Sequence, residues 1–144
     1  MPANALLLVG VSRREVDALP APQDLVAKVC ELLDARGTTA LYVVQFSPAE
    51  PSHPDIHAKL AGATPYFAKY PYPFSGNTLW DQMLSAGTER VLIAGAGKPV
   101  KDGIDFLLRR KVEVVTSGGL APFLPNPYKT VRITSYPELK EMLK

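Results

Sequence analysis

The sequence predicts an α/β fold, a three-layer α/β/α sandwich around a mainly parallel sheet. Short apolar runs of strand length alternate along the chain with segments in which apolar residues recur at helical spacing. The first run, Ala5–Val11, is apolar throughout, which is typical of a strand that helices cover on both faces of a parallel sheet. The chain has 144 residues, the size of a single domain, so we assign residues 1–144 to one domain.

A helix and a second strand follow the first strand. After a loop that contains Pro20 and Pro22, the predicted helix begins near Asp24 and ends at Gly37, a residue type that favours helix ends. Its apolar residues recur at helical spacing: Leu25, Val26, Val29, Leu32 and Leu33. The segment Thr39–Phe46 is rich in β-branched and aromatic residues and predicts the second strand.

The middle of the chain predicts shorter elements. A polar, proline-containing loop leads to a helical turn at Ile56–Leu60 and a short strand at Tyr66–Lys69. A second helix begins at Asn77 or Thr78, since either side chain can cap it, and ends at Gly87.

The last third of the chain continues the alternation. The predicted strands are Arg90–Gly95, Lys111–Thr116 and Thr130–Ile133. A third helix opens after Pro99, a residue that suits the first helical position, with Val100, Ile104, Leu107 and Leu108 on one face. The segment Gly118–Tyr128 is rich in Gly and Pro and should be irregular. Ser135 and Glu138 form a capping box for a closing helix that ends at Leu143.

Composition excludes several classes of function. The net charge is +2 and the basic residues are scattered, apart from the run Arg109–Lys111, so nucleic-acid binding is not expected. The apolar run Ala5–Val11 is too short to span a bilayer, and we expect a cytoplasmic protein without a membrane partner. The single cysteine, Cys30, lies beside Val26 and Leu33 on the apolar side of the first helix. Because the sequence has one cysteine, an intrachain disulfide is excluded, and we expect Cys30 to be an inert packing residue.

Two local patterns suggest cofactor or metal sites and fail on spacing. In LIAGAGKPVKDG, Pro99 follows Lys98 where a phosphate loop needs Ser or Thr, and Val100 stands where a dinucleotide loop needs a third glycine. His53 and His57 are four residues apart, but a proline lies between them and no third His exists. We therefore expect no cofactor and no metal.

Three blocks of sequence, in this order, resemble the isochorismatase-like cysteine hydrolases, the superfamily of nicotinamidases and N-carbamoylsarcosine amidohydrolases. They are ALLLVGVS at Ala5–Ser12, KYPYPFSGNTLWDQML at Lys69–Leu84 and SAGTERVLIAGAGKPV at Ser85–Val100. The resemblance extends from residue 5 to about residue 117. Beyond that point we expect the domain to be truncated relative to the family, because GGLAPFLPNPYK is too short and proline-rich for the usual next helix.

The resemblance implies three catalytic positions, of which one is retained. The family's Asp, Lys and Cys fall on Gly10, Lys69 and Lys101 of this sequence. The Cys is the covalent nucleophile of the family mechanism, and the Asp is its base. The family's metal site, an Asp with two His, also lacks its Asp unless Asp55 is recruited. The sequence therefore predicts a pseudoenzyme that keeps a small-molecule pocket or has a role in assembly.

An active enzyme remains the alternative hypothesis. It would be a divergent hydrolase of a small amide or vinyl ether that uses Lys69 with an acid just beyond the first strand, Glu15 or Asp17. A third hypothesis, a purely structural subunit, predicts that no pocket is large enough for a small molecule.

The predicted ligand is a small anion. In the expected fold, Lys69 at a strand end approaches Lys98 and Lys101 at the start of the third helix, and backbone N–H groups after Gly97 can donate to an anion. The opposite possibility is that the lysines extend into solvent and bind nothing. The aromatic residues Phe74 and Trp80 flank the cap of the second helix. They should lie beside the pocket mouth or a subunit contact, or else in the core. Because family members often associate, we also expect a homo-oligomer.

Overall fold

A parallel six-stranded sheet forms the centre of the molecule in the computed structural model. The structure describes residues 3–19, 21–35, 37, 39–47, 52–60, 63, 65–70, 72–117, 132–133 and 136–142. The strands are β1 (Ala3–Val9), β2 (Ala40–Gln45), β3 (Tyr66–Phe67), β4 (Thr88–Gly95), β5 (Glu113–Thr116) and β6 (Arg132–Ile133). Their order across the sheet is β3-β2-β1-β4-β5-β6, and every ladder between neighbouring strands is parallel.

Helices connect the strands. They are α1 (Arg13–Asp17), α2 (Pro22–Ala35), α3 (Pro54–His57), α4 (Leu79–Ser85), α5 (Lys98–Arg109) and α6 (Tyr136–Glu141). The longest of them, α2, has 14 residues. Within the described ranges, no helix has the length and apolar character that crossing a bilayer requires.

The central strand β1 divides the core into two parts. Residues Ala5–Val9 are fully buried, and successive side chains point to opposite faces of the sheet. Leu6 and Leu8 belong to a core that is built with α2 and α3, and Leu7 and Val9 to a core that is built with α4 and α5. Burial on both faces explains why this strand is an unbroken apolar run.

The direction of the chain connections reverses between β1 and β4. From β1 the chain moves outward through β2 to β3, and then returns to the other side of β1 to form β4. At such a switch point the loops that leave the carboxyl ends of the two strands diverge and create a crevice. The candidate site therefore belongs at the ends of β1 and β4.

The predicted fold class, a three-layer sandwich around a mainly parallel sheet, is confirmed. Most helix and strand boundaries differ from the prediction by a few residues. The helix α2 begins at Pro22 instead of Asp24, because proline is compatible with a first helical turn. The predicted strand start at Lys111 is wrong, since this residue has a positive φ of 61° in the turn before β5. The irregular segment Gly118–Tyr128 and the capping residue Ser135 lie outside the described residues.

Two short helices differ from the prediction. The helix α1, between β1 and Pro20, was not expected. The helix α3 begins at Pro54 instead of Ile56, because Nδ1 of His53 accepts a hydrogen bond from the backbone N–H of Asp55 and caps it. The proline between the two histidines therefore starts a helix instead of preventing one.

Candidate functional site

The carboxyl ends of β1 and β4 touch through their main chains. Gly10, directly after β1, has a φ of +66°, and a Cβ atom built on it would overlap the carbonyl oxygen of Ala96. Gly95, the last residue of β4, has a φ of +153°, and a Cβ there would overlap the carbonyl oxygen of Val9. The backbone N–H of Ala96 donates to that same Val9 oxygen over 3.3 Å. Neither glycine position has room for a side chain.

This contact bears on the Asp position that the resemblance assigns to Gly10. An aspartate at position 10 would need both a left-handed backbone and the space that Ala96 fills. The backbone as it stands therefore has no room for an aspartate at position 10.

A different carboxylate occupies this end of the sheet. Ser12 caps α1 by accepting a hydrogen bond from the backbone N–H of Glu15 over 3.3 Å. The short helix brings Glu15 to Gly97, where a Cβ atom would lie 2.9 Å from Oε2 of Glu15. Gly97 is the N-cap of α5, so the negative charge lies at the positive end of a helix dipole. Asp17, the other acid considered from sequence, forms an exposed 3.5 Å ion pair with Arg13 instead.

Beside Glu15 lies an open crevice of about 470 Å³, here called the α1 crevice. Its lining residues are Arg14, Glu15, Ala18, Phe46 and Tyr70. The two aromatic rings meet edge to face with centroids 5.3 Å apart and form an apolar wall. A small recess lined by Gly10 and Ser12 shares Glu15 and Phe46 with this crevice and extends it toward the end of β1. A crevice of this volume is large enough for a small molecule, which the hypothesis of a purely structural subunit does not predict.

The three lysines predicted for the site are exposed. Lys98 is the first residue of α5 and Lys101 lies one turn further along the same helix. Lys69 begins a tight turn in which its carbonyl accepts a hydrogen bond from the N–H of Tyr72 over 2.7 Å. None of the three lines the α1 crevice. Of the residues predicted to bind a ligand, Gly97 is the one that the structure places next to Glu15. Lys98 follows Gly97 in the chain.

Phe74 and Trp80 pack at the edge of the core beside α4 and α5. The ring of Phe74 stacks on that of Phe106 at 4.1 Å and 5°, and Trp80 meets Phe106 edge-on at 5.8 Å. The Arg110 guanidinium lies 3.5 Å from the centroid of Phe106 and 5.5 Å from that of Trp80. Both predicted residues are half-buried in this cluster. A part in ligand binding stays a prediction for both.

The surroundings of Cys30 and of the two histidines indicate roles in packing and helix capping or exposure to solvent. Cys30 lies on α2 and packs against the core, and its Sγ lies 3.6 Å from the carbonyl oxygen of Asp55. Burial, followed by the negative charge of Asp55, raises the pKa of this thiol above its ordinary value. His53 is buried as the cap of α3, and His57 is exposed. Among the residues that the structure describes, no three His, Cys, Asp or Glu side chains are grouped closely enough to hold a metal ion.

Sequence reasoning missed Arg14, Phe46 and Tyr70. One signal was available: Ser12 and Glu15 have the spacing of a capping box directly after a buried strand. That pattern predicts a helix start at the carboxyl edge and would have placed Arg14 and Glu15 there. The contact between Phe46 and Tyr70 depends on the path of the loop after β3, for which the sequence holds no comparable signal.

Comparison with known proteins identifies the fold. No protein-family model and no curated protein sequence matches this chain. Three solved structures illustrate the structural similarity, and each covers most of both chains. N-carbamoylsarcosine amidase from Thermoplasma acidophilum has a TM-score of 0.80 at 14% identity, over 94% of this chain and 97% of that one. A cysteine hydrolase from Pseudomonas syringae has a TM-score of 0.78 at 10% identity, over 98% and 92%. An isochorismatase family protein from Burkholderia thailandensis has a TM-score of 0.76 at 16% identity, over 99% and 96%.

The chain therefore has the isochorismatase-like α/β fold, as the resemblance predicted. At these levels of identity the similarity concerns the fold, and the chemistry has to be argued from the residues of this chain.

Proposed function

We propose that this protein binds a small molecule in the α1 crevice and does not carry out the thiol-based hydrolysis that its fold can support. The observation that carries the proposal is the closure of the main chain at Gly10. Where a catalytic carboxylate would project from the end of β1, the carbonyl of Ala96 fills the space. The crevice beside it remains open, with a volume of about 470 Å³, within the ~300–1,000 Å³ range of small-molecule sites.

The nucleophiles of this chain support the same conclusion. Cys30 lies on α2 and packs against the core, and its raised pKa disfavours the reactive thiolate. Lys101, at the position that the resemblance gives the family nucleophile, is exposed on α5. Neither side chain lines the α1 crevice.

The lining of the crevice favours a planar ligand with polar groups of two kinds. Phe46 and Tyr70 supply an apolar wall for a ring. Arg14 is exposed and suits an anionic group, because a guanidinium binds a carboxylate through two hydrogen bonds. Glu15 is half-buried and suits an N–H donor. A small aromatic carboxylate that also carries an amino or amide group combines these features and retains the predicted anionic character.

Binding of 3-aminobenzoate, followed by calorimetry, tests this proposal. We expect it to bind more tightly than benzoate or aniline, each of which lacks one of the two polar groups. Arg14→Gln should weaken the binding of 3-aminobenzoate and benzoate alike, and Glu15→Gln should weaken only that of 3-aminobenzoate and aniline. Arg13→Gln is the matched control, because Arg13 lies on the same helix outside the crevice. Equal affinity of the wild type for all three compounds would contradict the proposed ligand class.

One observation favours a second candidate, an active hydrolase that uses the carboxylate of Glu15 as its general base. The carboxylate of Glu15 lies at the start of α5, beside the crevice, where it could activate a water molecule as a general base. A screen of amides, ureas and vinyl ethers separates the two candidates. Turnover that is lost in Glu15→Gln or Lys69→Ala would overturn the binding proposal, and inertness of the wild type would support it.

The lysine-based anion site stays a separate proposal. If Lys98 and Lys101 bind an anion with the backbone after Gly97, millimolar sulfate or phosphate should raise thermal stability more than chloride does at equal ionic strength. Lys101→Ala should abolish that difference. Glu15 makes this site weaker than expected from sequence, because its carboxylate already lies beside Gly97. Equal stabilisation by all three salts would contradict the site.

A role in assembly is likewise a proposal. Among the residues that the structure describes, four large apolar side chains are exposed: Phe67, Tyr70, Tyr72 and Leu84. We expect a homo-oligomer, which light scattering coupled to size-exclusion chromatography would detect. A monomer over the accessible concentration range would contradict it.

A further inference from the structure

A second cavity, of about 230 Å³, lies between α5 and the loop that precedes α4. Its lining residues are Tyr72, Pro73, Phe74, Ser75, Asp102, Phe106 and Arg109. The three residues from α5 are spaced by four and then three positions, so they lie on one face of the helix. The cavity shares no lining residue with the α1 crevice.

Asp102 lines this cavity and carries an unpaired oxygen. Its Oδ2 atom is buried and has no hydrogen-bond partner. Two other buried side-chain atoms among the described residues, in Asn4 and Ser52, also lack a partner, but neither residue lines one of the described cavities. Leaving a buried acceptor unpaired is unfavourable, and more so for a charged group. Because Oδ2 is closed off from solvent, the carboxylate has to turn toward the cavity to accept an N–H group from a ligand, and that hydrogen bond would remove the penalty.

The apolar part of the cavity wall is well packed, and Ser75 and Arg109 form its polar part. Phe74 and Phe106 stack on each other at 4.1 Å, and Phe106 also contacts the guanidinium of Arg110. A Cβ atom built on Gly103 would lie 3.2 Å from Cγ of Pro73, so the loop approaches α5 closely at this point. Interactions across this contact hold the cavity in shape before a ligand arrives, which lowers the entropic cost of binding.

We propose that this cavity binds a small organic cation, namely an amidinium or ammonium group attached to one planar ring. The cationic N–H group donates to the carboxylate of Asp102 in a charge-assisted hydrogen bond. The volume, below the ~300 Å³ of typical drug-sized sites, limits the ligand to about one ring. Arg109 lies seven residues, or about 10 Å along the helix, from Asp102, so the end of the ligand near Arg109 is neutral or anionic.

Benzamidine is the probe for this proposal, with benzamide and benzoate as neutral and anionic analogues. Trp80 is the only tryptophan and contacts Phe106, so its fluorescence reports on occupancy, and calorimetry measures the affinity. We expect benzamidine to bind at least about tenfold more tightly than either analogue. Asp102→Asn, which keeps the shape of the side chain, should weaken benzamidine binding by about tenfold or more. Asp81→Asn removes the same charge from an exposed position on α4 and should change the affinity by less than about twofold.

A second variant keeps the test decisive if Asp102→Asn fails to fold. Arg109 is exposed, so Arg109→Gln should fold, and loss of its positive charge should raise benzamidine affinity about two- to threefold. Three results would each overturn the proposal: no benzamidine binding at millimolar concentration, equal binding of benzamidine and benzoate, or equal affinities of the wild type and both cavity variants.

Discussion

The centre of the carboxyl edge of the sheet, between β1 and β4, is filled by main chain, whereas the flank formed by α1 and the loop after β3 is open. At the centre, Gly10 and Gly95 face backbone carbonyls with no space for side chains. On the flank, Arg14, Glu15 and Tyr70 surround a crevice of about 470 Å³. The polar and aromatic groups that line the crevice thus come from α1 and from the loop after β3. The ends of β1 and β4 pack against each other instead.

The largest effect is expected at the closed centre. Gly10→Asp should destabilise the fold by about 4 kcal/mol or more, because it adds a side chain both to a left-handed residue and to the space of the Ala96 carbonyl. For a domain of this size, that loss corresponds to a fall in Tm of roughly 8–16 °C, measurable by calorimetry. Gly76→Asp is the matched control, since Gly76 has a similar φ of +72° and no atom within 4 Å of a built Cβ.

The Gly76→Asp control should lose only about 1 kcal/mol of stability, which is the cost of placing a side chain on a left-handed residue. Equal losses in the two variants would show that backbone strain alone disfavours a side chain at position 10. The contrast between a closed centre and an open flank would then be broken.

The aromatic cluster at α5 is the second place to probe. Phe106→Ala removes a half-buried ring that stacks on Phe74 and contacts Arg110. We expect a loss of about 2–3 kcal/mol in urea unfolding, below the full cost of a core Phe because the ring is partly exposed. Phe67→Ala, at a side chain that is 45% exposed, should cost less than about 1 kcal/mol. A small loss in Phe106→Ala would indicate that the ring does not hold the second cavity in shape.

Asn77 and Thr78 are neighbours in the chain, and their side chains contribute differently to the start of α4. Oδ1 of Asn77 accepts from the N–H of Leu79 over 3.0 Å, and its Nδ2 donates to the carbonyls of Phe67 and Pro73. Thr78 occupies the N-cap position but makes no side-chain cap bond. Asn77→Ala should therefore cost about 1–2 kcal/mol, and Thr78→Ala less than about 0.5 kcal/mol. The reverse order in chemical denaturation would reassign the cap and weaken the assignment of Asn77 as the residue that ties the loop to α4.

The smallest effect concerns alkaline pH, away from both regions. Burial raises the pKa of Cys30 above 9.0 and the pKa of Tyr42 above 10.0, so the folded state holds these protons more tightly than the unfolded state. Their contribution to stability is complete below pH 9 and is lost as the pH rises through the folded-state pKa values. Cys30→Ala should flatten the decline of stability just above pH 9. Rapid labelling of Cys30 by a thiol reagent at pH 8 in the native protein would contradict the buried environment.

The sequence predicted the architecture well because burial determines it locally. The apolar run at Ala5–Val11 predicted a strand that is buried on both faces of the sheet, although the strand covers Ala3–Val9. Helical spacing likewise predicted α2 and α5 to within a few residues.

The site was predictable only in part. That position 10 is glycine was evident from sequence, but its contact with Ala96, 86 residues away, is a property of the folded chain. Lys69, Lys98 and Lys101 were expected to converge on a crevice because of their places at strand and helix ends. All three are exposed, since a long, flexible side chain at a helix or strand end reaches solvent easily.

The lengths of the strands bear on how copies of this protein can associate. Among the strands that the structure describes, the longest, β4 with eight residues and β1 with seven, are neighbours inside the sheet, and the edge strand β3 has two residues. An edge of two residues offers another chain too few backbone groups for a stable added strand, which protects the sheet against aggregation through the β3 edge. Contacts between copies at this edge would therefore have to form through side chains.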